Sequence, residues 1–313
     1  MKKVLFATTA LVLTAGVAAA EVTVGGDGRM GVIYDGADWN FTSRIRIKFT
    51  ASGETDGGLQ FGGSARVDHY DTTVGSTASA ANGAAGSVYI SGAFGKITMG
   101  DVDSAAESAV GDVSGVGLTG LGDYNETLYV TSSMESGGDP HVLYAYTMGD
   151  LSFYASMSDG TGNTFDLSPW SSGAADQGYS IGVAYGMGDY SFGLGYERLD
   201  TTASGNVDHI IAGGSATFGG VTLKANYGVA DASIGPDLDQ YGVSADYTTG
   251  ALSVTGYYTM KDAGTGNQIE AYGLGASYDL GGGASLKGGV VNFDSDPAGT
   301  SDTIGDFGVS FTF

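Results

Sequence analysis

The chain has 313 residues, no cysteine and a formal net charge of -23, with 56 glycines, 19 tyrosines and only 4 prolines. The charge disfavours nucleic acid as a partner, because binding to a phosphate backbone depends on clustered lysine and arginine. Without cysteine, disulfides and thiol chemistry are excluded. Disordered chains are poor in aromatic residues and rich in proline, so this composition is typical of a β protein.

Residues 1–20 have the pattern of a secretory signal peptide. Lys2 and Lys3 precede an apolar run that ends at Ala18-Ala19-Ala20, a cleavage site of the Ala-x-Ala type. The mature chain, residues 21–313, shows no change of composition that would mark a second domain. It also has no run of about eighteen apolar residues, so a location in a membrane would require a closed β-barrel.

From Val22 onward the sequence divides into segments of about ten residues with alternating polarity. Short turns such as Gly149-Asp150 and Gly188-Asp189 join them, in strict alternation with longer acidic connections such as Val102 to Pro140. This alternation is typical of a barrel with one rim of tight turns and one rim of loops. The count predicts about 16 antiparallel strands.

The stretch YSIGVAYGMGDYSFGLGY, residues 179–196, shows the two faces of such a barrel. Tyr179, Ile181 and Val183 form an apolar face, and small or polar residues alternate with them. The last segment, residues 305–313, ends on Phe313 and would pair with the first, residues 22–34, leaving no open edge. We therefore predict an all-β protein, a 16-stranded antiparallel transmembrane β-barrel with lipid outside and a polar lumen.

Basic residues are concentrated near the start of the mature chain. In SRIRIKF, residues 43–49, Arg44, Arg46 and Lys48 alternate with apolar residues and so share one face. Arg29 and Arg66 have the same lumen-facing parity on neighbouring segments. Either this stripe is simply solvated, or a pore requires positive charge at this position.

Four segments, residues 21–62, 88–101, 272–285 and 308–313, resemble the general-diffusion porins of the Rhodobacter type. The resemblance implies a homotrimer in the outer membrane of a Gram-negative bacterium, in contact with membrane lipid. It implies passive diffusion of ions and small hydrophilic solutes, with the third outer loop, residues 102–139, folded inward to narrow the pore.

The resemblance also implies that a basic wall and an acidic loop oppose each other at this constriction. The wall residues are Arg29, Arg44, Arg46, Lys48 and Arg66, and the loop residues are Asp101, Asp103, Glu107, Asp112, Asp123 and Glu126. We expect the wall to lower the pKa of the loop acids. With 35 acidic residues in the chain, we also expect a weak preference for cations, which the wall opposes.

Three alternatives to a general-diffusion channel make different demands on the sequence. A substrate-specific porin would bind one solute at the constriction. A secreted calcium-binding β-roll would carry Gly-Gly-x-Gly-x-Asp repeats, which this sequence lacks. A barrel with a packed interior is disfavoured, because about sixteen strands enclose an open channel.

Several motifs suggest chemistry but lack its context. The glycines of GDGRMG, residues 26–31, are not followed by the helix that a dinucleotide site needs. His69, His141 and His209 have no metal-ligand spacing and are read as isolated residues at strand ends. No nucleophile is paired with a base, so we predict no enzyme and no cofactor, except that acidic outer loops could hold Ca²⁺.

Overall fold

The computed structural model describes residues 21–71, 85–132, 141–158, 164–165, 173–201, 205–264, 268–294 and 301–313. The expected signal peptide and residues 133–140 of the third loop lie outside the described residues. Nearly all of the described chain is antiparallel β-sheet. The only α-helix in it, α1 (Ala105–Val110), lies in the third loop, and no described helix is long and apolar enough to cross a membrane.

The strands follow one another along the chain. They are β1 (Glu21–Tyr34), β2 (Trp39–Glu54), β3 (Gln60–Asp71), β4 (Ala85–Gly92), β5 (Gly95–Gly100), β6 (His141–Met148), β7 (Leu151–Ser158), β8 (Thr164–Phe165), β9 (Gly173–Met187), β10 (Tyr190–Thr201), β11 (Gly205–Phe218), β12 (Val221–Ala232), β13 (Leu238–Thr249), β14 (Leu252–Asp262), β15 (Gln268–Gly281), β16 (Ala284–Asp294) and β17 (Ser301–Thr312).

The sheet closes on itself through its first and last strands. β1 pairs with β17 from Asp27↔Thr312 to Tyr34↔Gly305, and Gly26 and Phe313 exchange two backbone hydrogen bonds of 2.8 and 3.0 Å. The two-residue β8 pairs only with β9, while β7 pairs directly with β9. The barrel proper therefore has sixteen strands, which confirms the predicted fold.

Tight glycine turns form one rim of the barrel. Gly149, Gly188 and Gly219 have φ values of 62°, 60° and 59°, the left-handed region that a two-residue hairpin turn requires. The prediction that every connection at the other rim is long is wrong for the first one. Residues 35–38 form a compact turn because the Asp35 carboxylate accepts hydrogen bonds from the backbone nitrogens of Ala37 and Asp38 at 3.0 and 2.8 Å.

The two faces of the barrel differ as the alternation predicts. Ile181, Phe192 and Leu194 are 59%, 58% and 50% exposed and point away from the lumen. Ser180, on the opposite face of the same hairpin, is buried against the third loop. A continuous apolar exterior of this kind is stable only in contact with lipid or another apolar surface.

The hydrophobic core lies inside the barrel, between the third loop and the wall. Val130 packs against Leu199 and Val207, and Leu121 packs against Val291. Near the start of the loop, Ala106 packs against Ile211. The loop therefore lies flat on the inner wall, over strands that follow β6 in the chain.

Glycines on the wall allow this close approach. A Cβ atom on Gly193 would lie 2.2 Å from the carbonyl oxygen of Ala109, and one on Gly182 would lie 2.3 Å from that of Ala105. No side chain fits at either position while α1 keeps its place.

We expect Gly193→Ala to displace α1 and to destabilise the loop by roughly 1–3 kcal/mol, as overpacking does elsewhere. Thermal unfolding and limited proteolysis within residues 101–132 measure the effect. Gly186→Ala is the matched control, because a Cβ at Gly186 meets nothing within 4 Å. Equal stability and equal cleavage of the two variants would contradict the close packing.

Candidate functional site

The five predicted basic residues lie on three neighbouring strands, β1, β2 and β3. Arg29 is directly opposite Arg44, and Lys48 is directly opposite Arg66. Arg46 completes the group, because it lies between these two pairs on β2. We call this group, Arg29, Arg44, Arg46, Lys48 and Arg66, the basic wall.

Two acidic residues that the sequence reading missed lie within the basic wall. Arg46 is directly opposite Asp27 on one side and Asp68 on the other. Asp68 accepts hydrogen bonds from Arg46 Nε at 3.1 Å and Arg66 Nε at 2.8 Å, and Arg44 Nη2 donates to Asp27 at 2.9 Å. Both acids could have been found, because they share the parity of Arg29 and Arg66.

The wall retains an excess of positive charge, with five basic residues against two acids. Like charges directly opposite on neighbouring strands destabilise a sheet, and this occurs twice, at Arg29/Arg44 and at Lys48/Arg66. A sheet that needed only stability would not place cations in this way. The arrangement points to a function in the lumen.

The third loop consists of two limbs that run side by side. The outgoing limb begins at Ser104, whose hydroxyl caps α1 by accepting from Glu107 N at 3.1 Å, and it leaves the helix at Gly111 with φ 69°. Hydrogen bonds join the limbs: Thr127 N donates to Asp112 Oδ1 at 2.7 Å, and Tyr129 Oη donates to the Gly111 carbonyl at 2.8 Å. Asp112 therefore stabilises the loop by joining its two limbs.

Asp306 on β17 holds the tip of the loop. This buried carboxylate accepts hydrogen bonds from Leu118 N at 2.8 Å, from Thr119 N at 2.7 Å and from the Thr119 hydroxyl at 2.7 Å. Arg29 Nη1 donates to the carbonyl oxygens of Leu118 and Thr119, both at 3.3 Å. Both the donors and the acceptors of the tip are thus satisfied by the barrel.

Glu197 on β10 holds the return limb. Its carboxylate, fully buried, accepts from Val130 N at 2.9 Å, from the Thr131 hydroxyl and from His209 Nδ1 at 2.8 Å. Gln240 on β13 bonds to both backbone groups of Leu128. Its Oε1 accepts from Leu128 N at 2.9 Å, and its Nε2 donates to the Leu128 carbonyl at 2.8 Å. No local pattern in the sequence indicates this network, because the loop residues that it holds are 67 residues from Glu197 and 112 residues from Gln240.

The reading of His209 as an isolated residue at a strand end is wrong. Because Leu128 fixes the Gln240 amide, Gln240 Nε2 faces His209 Nε2 at 3.0 Å as a donor. His209 Nε2 is then an acceptor and Nδ1 carries the proton given to Glu197. The histidine bridges Glu197 on β10 and Gln240 on β13 and has a structural role.

The loop acids are not all arranged opposite the basic wall. Asp123 interacts electrostatically with Arg29, as does Asp306. Asp112 and Glu126 instead lie near the half-buried Lys261 of β14, and Glu107 bonds to Ser132 within the loop. Asp101 and Asp103 lie near each other at the start of the loop.

The expectation that the wall lowers the pKa of these acids is wrong for four of them. Burial raises the pKa of Glu107 to about 7 and the pKa of Glu126 to about 7. Burial also raises the pKa of Asp103 and of Asp112, and neighbouring acids add to each shift. Water reaches these side chains, but the loop and the barrel wall surround them closely enough to disfavour their charged forms.

The described residues contain no group of three or more histidine, aspartate or glutamate side chains that could hold a metal ion. Residues 72–84, 159–163, 166–172 and 295–300 of the outer loops lie outside the described part of the chain. Calcium at the acidic outer loops stays a prediction.

A closed sixteen-stranded barrel with an apolar exterior, charged inner residues and a loop folded against the inner wall defines a pore-forming outer-membrane-type barrel. The Gram-negative porin family matches residues 7–298. A porin of Rhodobacter capsulatus is 40% identical over 318 residues, which cover 94% of this chain and 100% of that relative. The chain belongs to the Gram-negative porin family, and its barrel forms a channel for passive diffusion.

Solved structures agree with this assignment. A porin structure refined at 1.8 Å resolution has a TM-score of 0.79 at 40% identity, covering 94% of this chain and 100% of that one. A triple mutant of the Rhodopseudomonas blastica porin has a TM-score of 0.65 at 23% identity, with 93% and 100% covered. At that identity the second structure supports the fold alone.

We expect Asp306→Asn to release the tip of the third loop, because an amide cannot accept the three hydrogen bonds as a carboxylate does. Each bond to a charged group contributes about 1.5–3 kcal/mol. Single-channel recordings should show larger and noisier currents. Asp302→Asn, an exposed change on the same strand, is the control, and identical recordings from both variants would argue against the anchor.

We expect the cation preference of the channel to be weaker at pH 6 than at pH 8. Glu107 and Glu126 have a pKa of about 7, so both gain a proton across this interval and the loop loses negative charge. Zero-current potentials in a salt gradient measure the change. A Glu107→Gln/Glu126→Gln variant should respond much less to pH, and an undiminished response would rule out these two groups.

The same two groups predict the sign of the pH dependence of stability. Between their usual pKa of 4.5 and the folded value of about 7, the folded state holds protons that the unfolded chain has lost. The free energy of unfolding should therefore rise as the pH falls through this window.

Proposed function

We propose that the protein acts as a homotrimeric general-diffusion porin in the outer membrane of a Gram-negative bacterium, with the basic wall at its constriction. The single observation that carries this proposal is the placement of the loop. Hydrogen bonds and packing hold the loop against the inner surface of strands β7 to β17. Arg44 and Arg46 on β2 instead form their ion pairs with Asp27 and Asp68 on the neighbouring strands.

The opposed charges would set up a field across the channel. Positive charge lies on β1 to β3, and the acids Asp101, Asp103 and Asp123 lie on exposed positions of the loop. Such a field orients water and dipolar solutes, while apolar solutes gain nothing in exchange for the water they displace. The expected substrates are therefore ions and small hydrophilic molecules, and we assign the protein no enzymatic step.

We also propose a weak preference for cations. The formal charge of -23 favours cations near the pore, while the wall favours anions within it. The preference should fall at high salt, because exposed charges are screened over about 10 Å at 0.1 M ionic strength.

Planar-bilayer recordings of the mature protein test this function. We expect stepwise openings in groups of three, and Arg44→Ala/Arg46→Ala should shift the zero-current potential in a salt gradient toward cations. Lys224→Ala, which removes a lumen-facing lysine on β12 outside the wall, should cause a much smaller shift. Silence from correctly folded protein would contradict an open channel, and equal shifts in both variants would contradict a constriction at the wall.

A further inference from the structure

We propose that Arg44, Arg46, Lys48 and Arg66 form a binding site for small solutes that carry two or more carboxylate or similar oxyanion groups. This inference rests on the proposed function, because such a solute must first enter the lumen. It assigns the constriction a substrate class within the general-diffusion activity.

Several guanidinium donors in this group have no acceptor among the described residues. A guanidinium has five N–H groups, yet Arg46 and Arg66 each bond Asp68 through Nε alone. Within the described part of the chain, no protein group accepts from their Nη atoms. Arg44 donates from Nη2 to Asp27. These donors need oxygen atoms from water or from a solute.

The positive charge of Lys48 is not compensated by a described acid. Lys48 forms no ion pair with any described residue and lies directly opposite Arg66, which places their Cβ atoms about 5 Å apart. Arg44 and Arg46 are two residues apart on one strand, about 7 Å along it. A monovalent anion satisfies one of these cations, whereas a solute with two or three carboxylates bridges several.

The arginine side chains of the site are held in place by acidic residues before a solute binds. Asp68 is only 6% exposed and holds Arg46 at 3.1 Å and Arg66 at 2.8 Å, while Asp27 holds Arg44 at 2.9 Å. A solute therefore meets side chains that are already ordered, which removes part of the entropic cost of binding. Arg29 is outside the site, because its Nη1 is engaged by the loop carbonyls.

Guanidinium groups also suit this ligand class better than lysine would. Their planar edges present paired N–H groups that match the two oxygens of a carboxylate. Three guanidiniums and one ammonium within two strands thus favour di- and tricarboxylates over singly charged anions or neutral sugars.

The test is block of single-channel current by sodium tricarballylate, compared with sodium acetate at equal ionic strength. We expect concentration-dependent block by tricarballylate and none by acetate. Arg46→Gln should raise the half-blocking concentration roughly tenfold, and the exposed Lys48→Gln roughly threefold. Lys224→Gln removes one lumen-facing lysine outside the wall and should leave the half-blocking concentration unchanged.

Open channels that tricarballylate does not block would overturn the site and leave the diffusion channel intact. Equal weakening by Lys48→Gln and Lys224→Gln would show that general lumen charge causes the block, which also overturns it. If the protein forms no channels, the proposed function fails. Calorimetric titration of the folded protein in detergent with tricarballylate then decides the site separately: affinity roughly tenfold weaker in Arg46→Gln supports the site, and unchanged affinity or no binding heat overturns it.

Discussion

A sixteen-stranded barrel encloses more space than its own side chains can fill, and every loop that enters it must find partners for its backbone. This constraint governs the interior of the molecule. Two buried carboxylates, Asp306 at the tip of the third loop and Glu197 on its return limb, meet it by accepting several N–H or O–H groups each. Because these acceptors are fixed on strands, the path of the loop is determined by the wall.

The position of the basic wall follows from that path. Packing places α1 and both limbs of the loop against strands from β7 to β17, where glycines such as Gly182 and Gly193 leave room for backbone. On those strands Lys261 lies close to the loop acids Asp112 and Glu126, whereas Arg46 on β2 and Arg66 on β3 form their ion pairs with Asp68 of β3. The same burial explains why Glu107 and Glu126 have a pKa near 7, since crowding by the loop and wall outweighs the attraction of the distant arginines.

The barrel could be predicted from the sequence because strand alternation is a local property, legible in stretches such as residues 179–196. The same parity predicts that the residues of the basic wall share the lumen face. Asp27 and Asp68 have this parity too, although the acids were expected in the loop. Glu197, His209 and Asp306 could not be found in this way. Glu197 and His209 are 12 residues apart, but their other partners and those of Asp306 are 31 to 188 residues distant, and no local pattern encodes such contacts. The pKa directions failed for a related reason, because the degree of enclosure depends on the folded loop.

The two sides of the constriction therefore differ in how their charge responds to the surroundings. Arginine stays protonated at any physiological pH, so the basic wall presents a fixed charge. The loop side includes Glu107 and Glu126, whose pKa of about 7 allows their charge to vary near neutrality. Affinity for anions at the wall should then be opposed least when the loop is protonated, because the competing negative charge is lost while every wall donor remains. Ion preference and anion binding are thus coupled through the loop, even though its acids need not touch the bound solute.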